Sequence, residues 1–208
     1  MNRSLIAAVV VAAALAGVAV SWLLTRADGA PPALEQATYF QAPRPLPAFA
    51  LVDQSGKCFD RSRLAGRWTL LFFGFTHCPD VCPLTLATLA DARRQLADLP
   101  RGEIPQVVLV SVDPRRDTPE ALARYVAHFD PAFVGVTGDQ AAIDQLARDL
   151  GVAVMIGPPA PDGSYTVDHT AAIFLIDPDA GYTAVFGTPH EADTIARDFR
   201  SIVAADAR

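Results

Sequence analysis

The chain alternates short, continuously apolar segments with longer amphipathic ones, and this alternation constrains its fold more than any other feature. Residues 68–75, WTLLFFGF, form an apolar run of the kind found in strands buried on both faces. Residues 84–99, LTLATLADARRQLADL, place apolar side chains three and four positions apart, which predicts a helix. A strand followed by a helix, repeated along the chain, is typical of the α/β class.

The same alternation continues towards the carboxyl terminus. We predict further strands at 106–112, 132–138, 171–177 and 182–187, and helices at 118–128, 139–151 and 191–205. Short segments at 49–52 and 57–59 flank a turn and predict a hairpin, and the last two strands predict a second one. This order predicts a three-layer α/β sandwich with a mixed sheet.

Residues 5–24 contain no charged side chain and are 20 residues long. A helix of this length reaches about 30 Å, which matches the hydrocarbon core of a bilayer. We therefore predict a single uncleaved transmembrane helix. The alternative is a cleaved signal peptide, but its apolar core is usually about 7–15 residues long and the nearby cleavage site at 27–29 is weak. In either case the rest of the chain is exported.

The expected organisation has three parts. Residues 1–24 are the membrane anchor, and residues 25–44, rich in Pro and Ala and without periodicity, are a tether. Residues 45–208 are the folded domain. Arg3 and the amino terminus favour the cytoplasmic side, although Arg26 weakens this bias.

Charge and cysteine content exclude two classes of protein. The formal net charge is −6 and the chain has one lysine, so no basic stripe is available for nucleic acid. Three cysteines are too few for a disulfide scaffold in a chain of 208 residues. A close pair with one left over indicates a functional pair instead.

The pair is Cys78 and Cys82, between the buried strand at 68–75 and the following helix. Reactive groups of α/β proteins collect at this end of the sheet, past the carboxyl ends of the strands. Asp80 is a candidate N-cap, which places Cys82 in the first helical turn. The partial positive charge of a helix N-terminus favours a thiolate, which is both a nucleophile and a metal ligand.

Other interpretations of the pair remain open at this point. A structural disulfide would close a very small loop and stabilise the fold only weakly. His169, just before a predicted strand, could add an imidazole to the two sulfurs. Such a donor set suits copper or zinc, and three ligands are too few for a closed structural zinc site. The residues alone do not decide between these metals.

Three motifs occur in order: FFGFTHCPDVCPLTL, SVDPRRDTPEAL and VDHTAAIFLIDPDA. Over about residues 45–205 the chain resembles the Sco/SenC family of thioredoxin-like copper proteins. The resemblance implies a thioredoxin-like domain that binds copper, as Cu⁺ or Cu²⁺, through Cys78, Cys82 and His169. It also implies location at the cytoplasmic membrane, with the domain on the periplasmic side, and delivery of copper to the dinuclear centre of cytochrome c oxidase.

Two functions follow from the resemblance. The first is a metallochaperone, whose partners are the copper-accepting subunit of the oxidase and other periplasmic copper or thiol-redox proteins. The second is a thiol-disulfide reductase that keeps the acceptor's cysteines reduced, with Cys78 attacking and Cys82 resolving the mixed disulfide. A peroxidase is a weaker alternative, because the second cysteine lies too close to the first. A monomer is the simplest expectation.

Four other candidate residues lie in the same three motifs. His77 is expected on an exposed loop, where it could tune Cys78 or bind copper weakly, and Asp168 either orients His169 or belongs to a turn. Asp113 and Asp117 are expected to have turn and helix-start roles.

Two sulfur-containing side chains are expected to be structural. Cys58 is predicted to be a partly buried, unpaired thiol in the first hairpin, and Met155 a core residue.

Overall fold

The computed structural model describes residues 12–17, 32–161 and 163–206. Residues 12–17 are helical, and a short 3₁₀ turn spans Arg61–Arg63. The helices of the domain are α1 Val81–Gln95, α2 Pro119–Phe129, α3 Gln140–Asp149 and α4 Ala192–Asp206. The strands are β1 Ala37–Pro45, β2 Ala50–Asp53, β3 Cys58–Asp60, β4 Thr69–Gly74, β5 Gln106–Ser111, β6 Val134–Thr137, β7 Val154–Ile156, β8 Val167–His169, β9 Ile173–Ile176 and β10 Gly181–Phe186.

Eight of these strands form one mixed sheet, in the order β1-β10-β9-β4-β5-β6-β2-β3. The pairs β4–β5 and β5–β6 are parallel, whereas β9 runs antiparallel to both β4 and β10. Strands β7 and β8 form a separate two-stranded sheet. The predicted α/β fold with a mixed sheet and the two predicted hairpins, β2–β3 and β9–β10, are confirmed.

The centre of the sheet is covered on both faces. Every residue of β4 is buried, and every residue of β5 except Gln106. Successive side chains of a strand point to opposite faces, so full burial requires packing above and below the sheet. The apolar run at 68–75 therefore forms the doubly buried strand that its composition predicts.

Two glycines allow helices to approach the sheet closely. A Cβ at Gly135 in β6 would lie 2.9 Å from the Cβ of Leu122 in α2. A Cβ at Gly74, the last residue of β4, would lie 3.1 Å from the Cys82 sulfur in α1. Phe72 pairs with Leu109, and Leu109 with Gly135, so these side chains share one face of the sheet. Helices α1 and α2 therefore lie side by side on that face, with α1 starting at the end of β4.

The folded domain begins earlier than residue 45. Strand β1, Ala37–Pro45, overlaps the segment 25–44 that was expected to be a tether, and it pairs antiparallel with β10 at the edge of the sheet. The buried carboxylate of Asp198 in α4 accepts hydrogen bonds from the amides of Glu35, Gln36 and Ala37 at 2.8–2.9 Å. Proline-rich sequence is tolerated at a sheet edge, where not every amide has to donate to a neighbouring strand.

The hairpin β7–β8 was not predicted. Each of its strands has three residues, too few for a periodic pattern to indicate. His169, expected just before a strand, is itself the last residue of β8 and pairs with Val154. Its position is consequently fixed by the hairpin.

The predicted membrane anchor, residues 1–24, lies outside the described residues except for 12–17. None of the helices within the described part of the chain combines the length and apolar character needed to span a bilayer.

We predict that Asp198→Asn destabilises the attachment of β1. Asparagine keeps one acceptor oxygen, so it cannot accept from all three amides as the carboxylate does. The free energy of unfolding should fall by about 2 kcal/mol, the range of a lost hydrogen bond to a charged group. Chemical denaturation measures the loss, and hydrogen exchange at residues 35–39 should accelerate. Asp193→Asn, at an exposed position of the same helix, is the matched control. Equal stability of the two variants would contradict this role for Asp198.

Candidate metal and thiol site

The candidate site lies at the carboxyl end of β4. Cys78 follows this strand on a short loop, Cys82 lies in the first turn of α1, and His169 ends β8. Because β9 runs antiparallel to β4, its first residue Ile173 lies beside Phe72 at the same end of the sheet. The chain from β8 to β9 thereby brings His169 to the cysteines.

Cys82 is fully buried beneath the start of α1. Burial of the sulfur raises the pKa of the Cys82 thiol, and the neighbouring Cys78 side chain raises this pKa further. The Cys82 sulfur is therefore a protonated thiol at neutral pH in the metal-free protein. Burial therefore opposes, at Cys82, the thiolate that a helix N-terminus favours.

Cys78 is half-buried, and its sulfur accepts a hydrogen bond from the amide of Cys82 at 3.4 Å. Asp80 occupies the N-cap position as predicted, but its side chain makes no capping hydrogen bond. The sulfur of Cys78 thus takes an amide of the first turn that an N-cap side chain normally satisfies. Negative charge is stabilised at this end of a helix, so Cys78 is the cysteine that the helix start favours as a nucleophile.

His169 contacts Cys82 directly, with 3.5 Å between its Nε2 and the sulfur. Its Nδ1 lies 3.1 Å from the carbonyl oxygen of Thr170. A carbonyl can only accept, so Nδ1 carries the hydrogen and Nε2 presents its lone pair to Cys82. Burial lowers the pKa of His169, which keeps the ring neutral. The rings of Phe72 and Phe75 pack edge-on against the imidazole. Their centroids lie 5.9 Å and 6.0 Å, respectively, from the centroid of the His169 ring.

The structure brings the three predicted ligands together as two pairwise contacts. Cys78 contacts Cys82, and Cys82 contacts His169. Within the described residues, however, no three His, Cys, Asp or Glu side chains converge in a geometry ready to hold a metal. All three cysteines of the chain are free thiols in the structure. The site is thus a reduced dithiol with an adjacent neutral imidazole.

The neighbours of the ligands have lesser roles. Asp168 is exposed, and its charge acts to raise the pKa of His169, whereas the hydrogen bond that orients the ring comes from Thr170. The side chain of His77 is 54% exposed, and its Nδ1 lies 3.0 Å from the Thr76 hydroxyl. Its ring is on an exposed loop, as predicted.

Two expectations about sulfur-containing residues are wrong. Cys58 is exposed rather than partly buried, because β3 lies at the edge of the sheet. Met155 is 68% exposed rather than part of the core. It lies in β7, whose hairpin stands apart from the main sheet, so no second layer covers its side chain.

Two buried carboxylates lie in the turn after β5. Asp113 and Asp117, expected to serve as turn and helix-start residues, are almost completely buried. Asp117 accepts hydrogen bonds from Thr76, and Asp113 from Tyr165. Their place just after a buried parallel strand was the available signal, because side chains at that position point towards the site.

A groove of about 700 Å³ opens beside the cysteines. It runs between the start of α1 and the hairpin β7–β8, and its lining includes Cys78, His77, Arg116, Tyr165 and His169. The groove gives a partner molecule access to Cys78 and to the histidine, while Cys82 stays behind them. Within residues 32–161 and 163–206, the large apolar side chains that remain exposed all lie on these two elements: Val81, Leu84, Met155 and Ile156.

Comparison with known proteins identifies the family. The SCO1/SenC family model matches residues 38–204. The chain belongs to the SCO1/SenC family. The match starts at β1, which agrees with a domain that begins before residue 45. The mouse SCO2 homolog, a mitochondrial protein, is 36% identical over 192 residues, covering 91% of this chain and 75% of the mouse protein.

Solved structures of family members share the fold. Arabidopsis thaliana ScoI with copper bound is 34% identical, with a TM-score of 0.70, covering 76% of this chain and 98% of that structure. Bradyrhizobium japonicum ScoI with copper bound is 36% identical, with a TM-score of 0.67, covering 75% of this chain and 98% of that structure. The resemblance to Sco/SenC proteins and the fold expected from it are thereby confirmed.

We predict that an alkylating reagent distinguishes the two cysteines of this SCO1/SenC protein. Cys78 faces the groove, whereas Cys82 is buried and protonated, so iodoacetamide should modify Cys78 at least about tenfold faster at neutral pH. The full chain carrying Cys58→Ser removes the exposed third thiol, and peptide mass mapping identifies the modified position. Modification of Cys82 before Cys78 would contradict the assignment of Cys78 as the accessible sulfur.

Proposed function

We propose that this SCO1/SenC protein is a copper metallochaperone that carries its ion on Cys78, Cys82 and His169. The observation that supports this most is the 3.5 Å contact between the Cys82 sulfur and His169 Nε2, two groups 87 residues apart in sequence. The Nδ1–H of the ring donates to the Thr170 carbonyl, so the free Nε2 faces the Cys82 sulfur. This is how histidine is prepared in many metal sites.

The donor set fits copper by its chemistry. Two thiols and an imidazole are soft or borderline donors, the classes that copper prefers. A closed structural zinc site requires a fourth protein ligand, which the described residues do not supply here. Loading requires the proton of Cys82 to leave, because a thiolate is the binding form of cysteine. Copper is the cargo of this site, and small shifts of the side chains complete the set.

Delivery follows from the accessibility of the site. Cys78 and His169 line the open groove, so the ligands of an acceptor can approach the ion on that side and replace them stepwise. The acceptor proposed is the copper-accepting subunit of cytochrome c oxidase, at its dinuclear copper centre. Val81, an exposed apolar side chain at the start of α1, lines the groove and suits a protein partner.

Membrane anchoring is a further part of the proposal. Residues 1–24 would span the cytoplasmic membrane once and leave the domain on the periplasmic side. Ala37, at the start of β1, pairs with Phe186, which belongs to the same end of the sheet as Ile173 and Phe72. The chain from the anchor thus enters the domain at the site end, which suits an acceptor in the same membrane.

We expect the full reduced chain, purified in detergent, to bind one Cu⁺ and His169→Ala to weaken binding by more than about 100-fold. Loss of a partner behind a ligand already costs about 10–100-fold, and loss of the ligand should cost more. Competition with a Cu⁺-specific chelator measures the affinity. His128→Ala, which removes an imidazole from α2, is the matched control. Unchanged affinity in His169→Ala would contradict the three-ligand site.

The alternative function is a thiol-disulfide reductase. It is favoured by one feature, the pairing of a groove-facing Cys78 with a buried Cys82 behind it. In such an exchange the Cys78 thiolate attacks a partner disulfide, and Cys82 then displaces the partner from the mixed disulfide. The His169→Ala chain separates the functions, because the reductase needs only the sulfurs. Full dithiol exchange in a chain that has lost copper binding assigns the histidine to copper alone.

We expect the expressed full chain to remain in the membrane fraction after a carbonate wash and to keep the mass of residues 1–208. A 20-residue uncharged span is long enough to hold the chain in the bilayer. Protease added to spheroplasts should digest the domain from outside. A control chain with residues 1–31 replaced by a cleavable export signal should be released into the periplasm. A shortened wild-type chain in the periplasmic fraction would instead show a cleaved signal.

A further inference from the structure

Two carboxylates buried just after β5 have no part in the proposed ligand set. Asp113 is 1% exposed and Asp117 is 0% exposed. Burying carboxylates is costly unless each is hydrogen-bonded, so their partners indicate their role. Both belong to the segment 111–117, which runs from the last residue of β5 towards the start of α2 and passes beside the candidate site.

Asp117 holds the loop that carries Cys78. One carboxylate oxygen accepts the backbone amide of Thr76 at 3.0 Å and the hydroxyl of Ser111 at 2.6 Å. The other accepts the hydroxyl of Thr76 at 2.6 Å. Thr76 lies two residues before Cys78 and 41 residues before Asp117. Hydrogen bonds to a buried charge are among the stronger ones, so the cysteine loop is fixed to the end of β5.

Asp113 binds the segment that leads into β8 and so to His169. It accepts the hydroxyl of Tyr165 at 2.6 Å and forms an ion pair with Arg116. The guanidinium of Arg116 lies 3.8 Å from the centre of the Tyr165 ring, and its Nη1 donates to the Tyr165 carbonyl at 3.4 Å. Tyr165 lies two residues before β8, at whose other end His169 is found.

We propose that the segment 111–117 is a brace that sets the distance between the cysteine loop and the histidine hairpin. Asp117 is the arm towards Cys78, and Asp113 with Arg116 is the arm towards His169. Hairpin β7–β8 pairs with no strand of the main sheet within the described residues, so side-chain contacts have to position it. Asp113, Arg116, Asp117 and Tyr165 are positioning residues, which act on the ion through the ligands they hold.

This inference rests on the proposed copper site, and it makes a specific statement about which arm acts through which ligand. Tyr165→Phe removes the hydroxyl that reaches Asp113 and keeps the ring under Arg116. We expect the Cu⁺ affinity of the full reduced chain to fall about tenfold, the cost of losing a partner that orients a ligand. Tyr39→Phe, the same change on β1, should leave the affinity unchanged.

The His169→Ala background separates the two arms. In that background Tyr165→Phe should have no further effect on Cu⁺ affinity, because the ligand it positions is gone. Asp117→Asn should weaken binding in both backgrounds, because it acts through Cys78. If Asp117→Asn fails to fold, Thr76→Val removes one of the same hydrogen bonds from the other side. Asp177→Asn, a buried carboxylate in the β9–β10 turn that also accepts backbone and hydroxyl hydrogens, is the matched control.

A second readout uses the metal-free protein. Asp117→Asn should accelerate hydrogen exchange at the Thr76 amide and change the alkylation rate of Cys78, whereas Tyr165→Phe should change neither. The brace would be overturned if Tyr165→Phe lowered the Cu⁺ affinity equally with and without His169. It would also be overturned if neither Tyr165→Phe nor Asp117→Asn changed the Cu⁺ affinity. Failure of the wild-type chain to bind copper, or normal binding by His169→Ala, would instead count against the proposed copper site.

Discussion

The site depends on how closely α1 approaches the end of β4. Gly74 has no side chain, and a Cβ there would meet the Cys82 sulfur at 3.1 Å as well as Leu109 and Phe72 at 3.0 Å. The absence of a side chain at Gly74 lets the first turn of α1 pack directly on the sheet, and this packing places Cys82 in the core. His169 is positioned at the end of β8, and its Nε2 lies 3.5 Å from the Cys82 sulfur. A larger residue at position 74 would push the helix, and with it both cysteines, away from the histidine.

The same packing places the two cysteines in different environments. Cys82 is buried and protonated, whereas Cys78 faces the groove and accepts the helix amide. One sulfur is therefore accessible to partners and the other is protected. An accessible sulfur with a shielded sulfur behind it is compatible with both proposed functions, copper transfer and dithiol exchange. The neutral imidazole beside Cys82 distinguishes this site from a plain dithiol.

Much of the fold could be predicted from sequence because its central elements follow strong local patterns. The apolar run of β4, the cap at Thr118, whose side chain accepts the Ala121 amide, and the turn between β9 and β10 all have local causes. Strand β1 could not be predicted, because it is held by β10 and Asp198, which lie far along the chain. Hairpin β7–β8 and the exposure of Met155 depend on a small sheet that is too short to show a period.

Sequence by itself determined the pair of cysteines at the start of a helix, the candidate histidine and, through three motifs in order, the family to which the chain belongs. Those features are local or depend only on residue identity, so they can be recognised without the tertiary structure. Only the tertiary structure decided that Cys82 is a buried thiol, that Thr170 orients His169, and that Asp113 and Asp117 reach the two segments carrying the ligands. Apart from the Thr170 contact, which joins neighbouring residues, these properties arise from contacts between residues tens of positions apart, where burial and hydrogen-bond partners are set by packing.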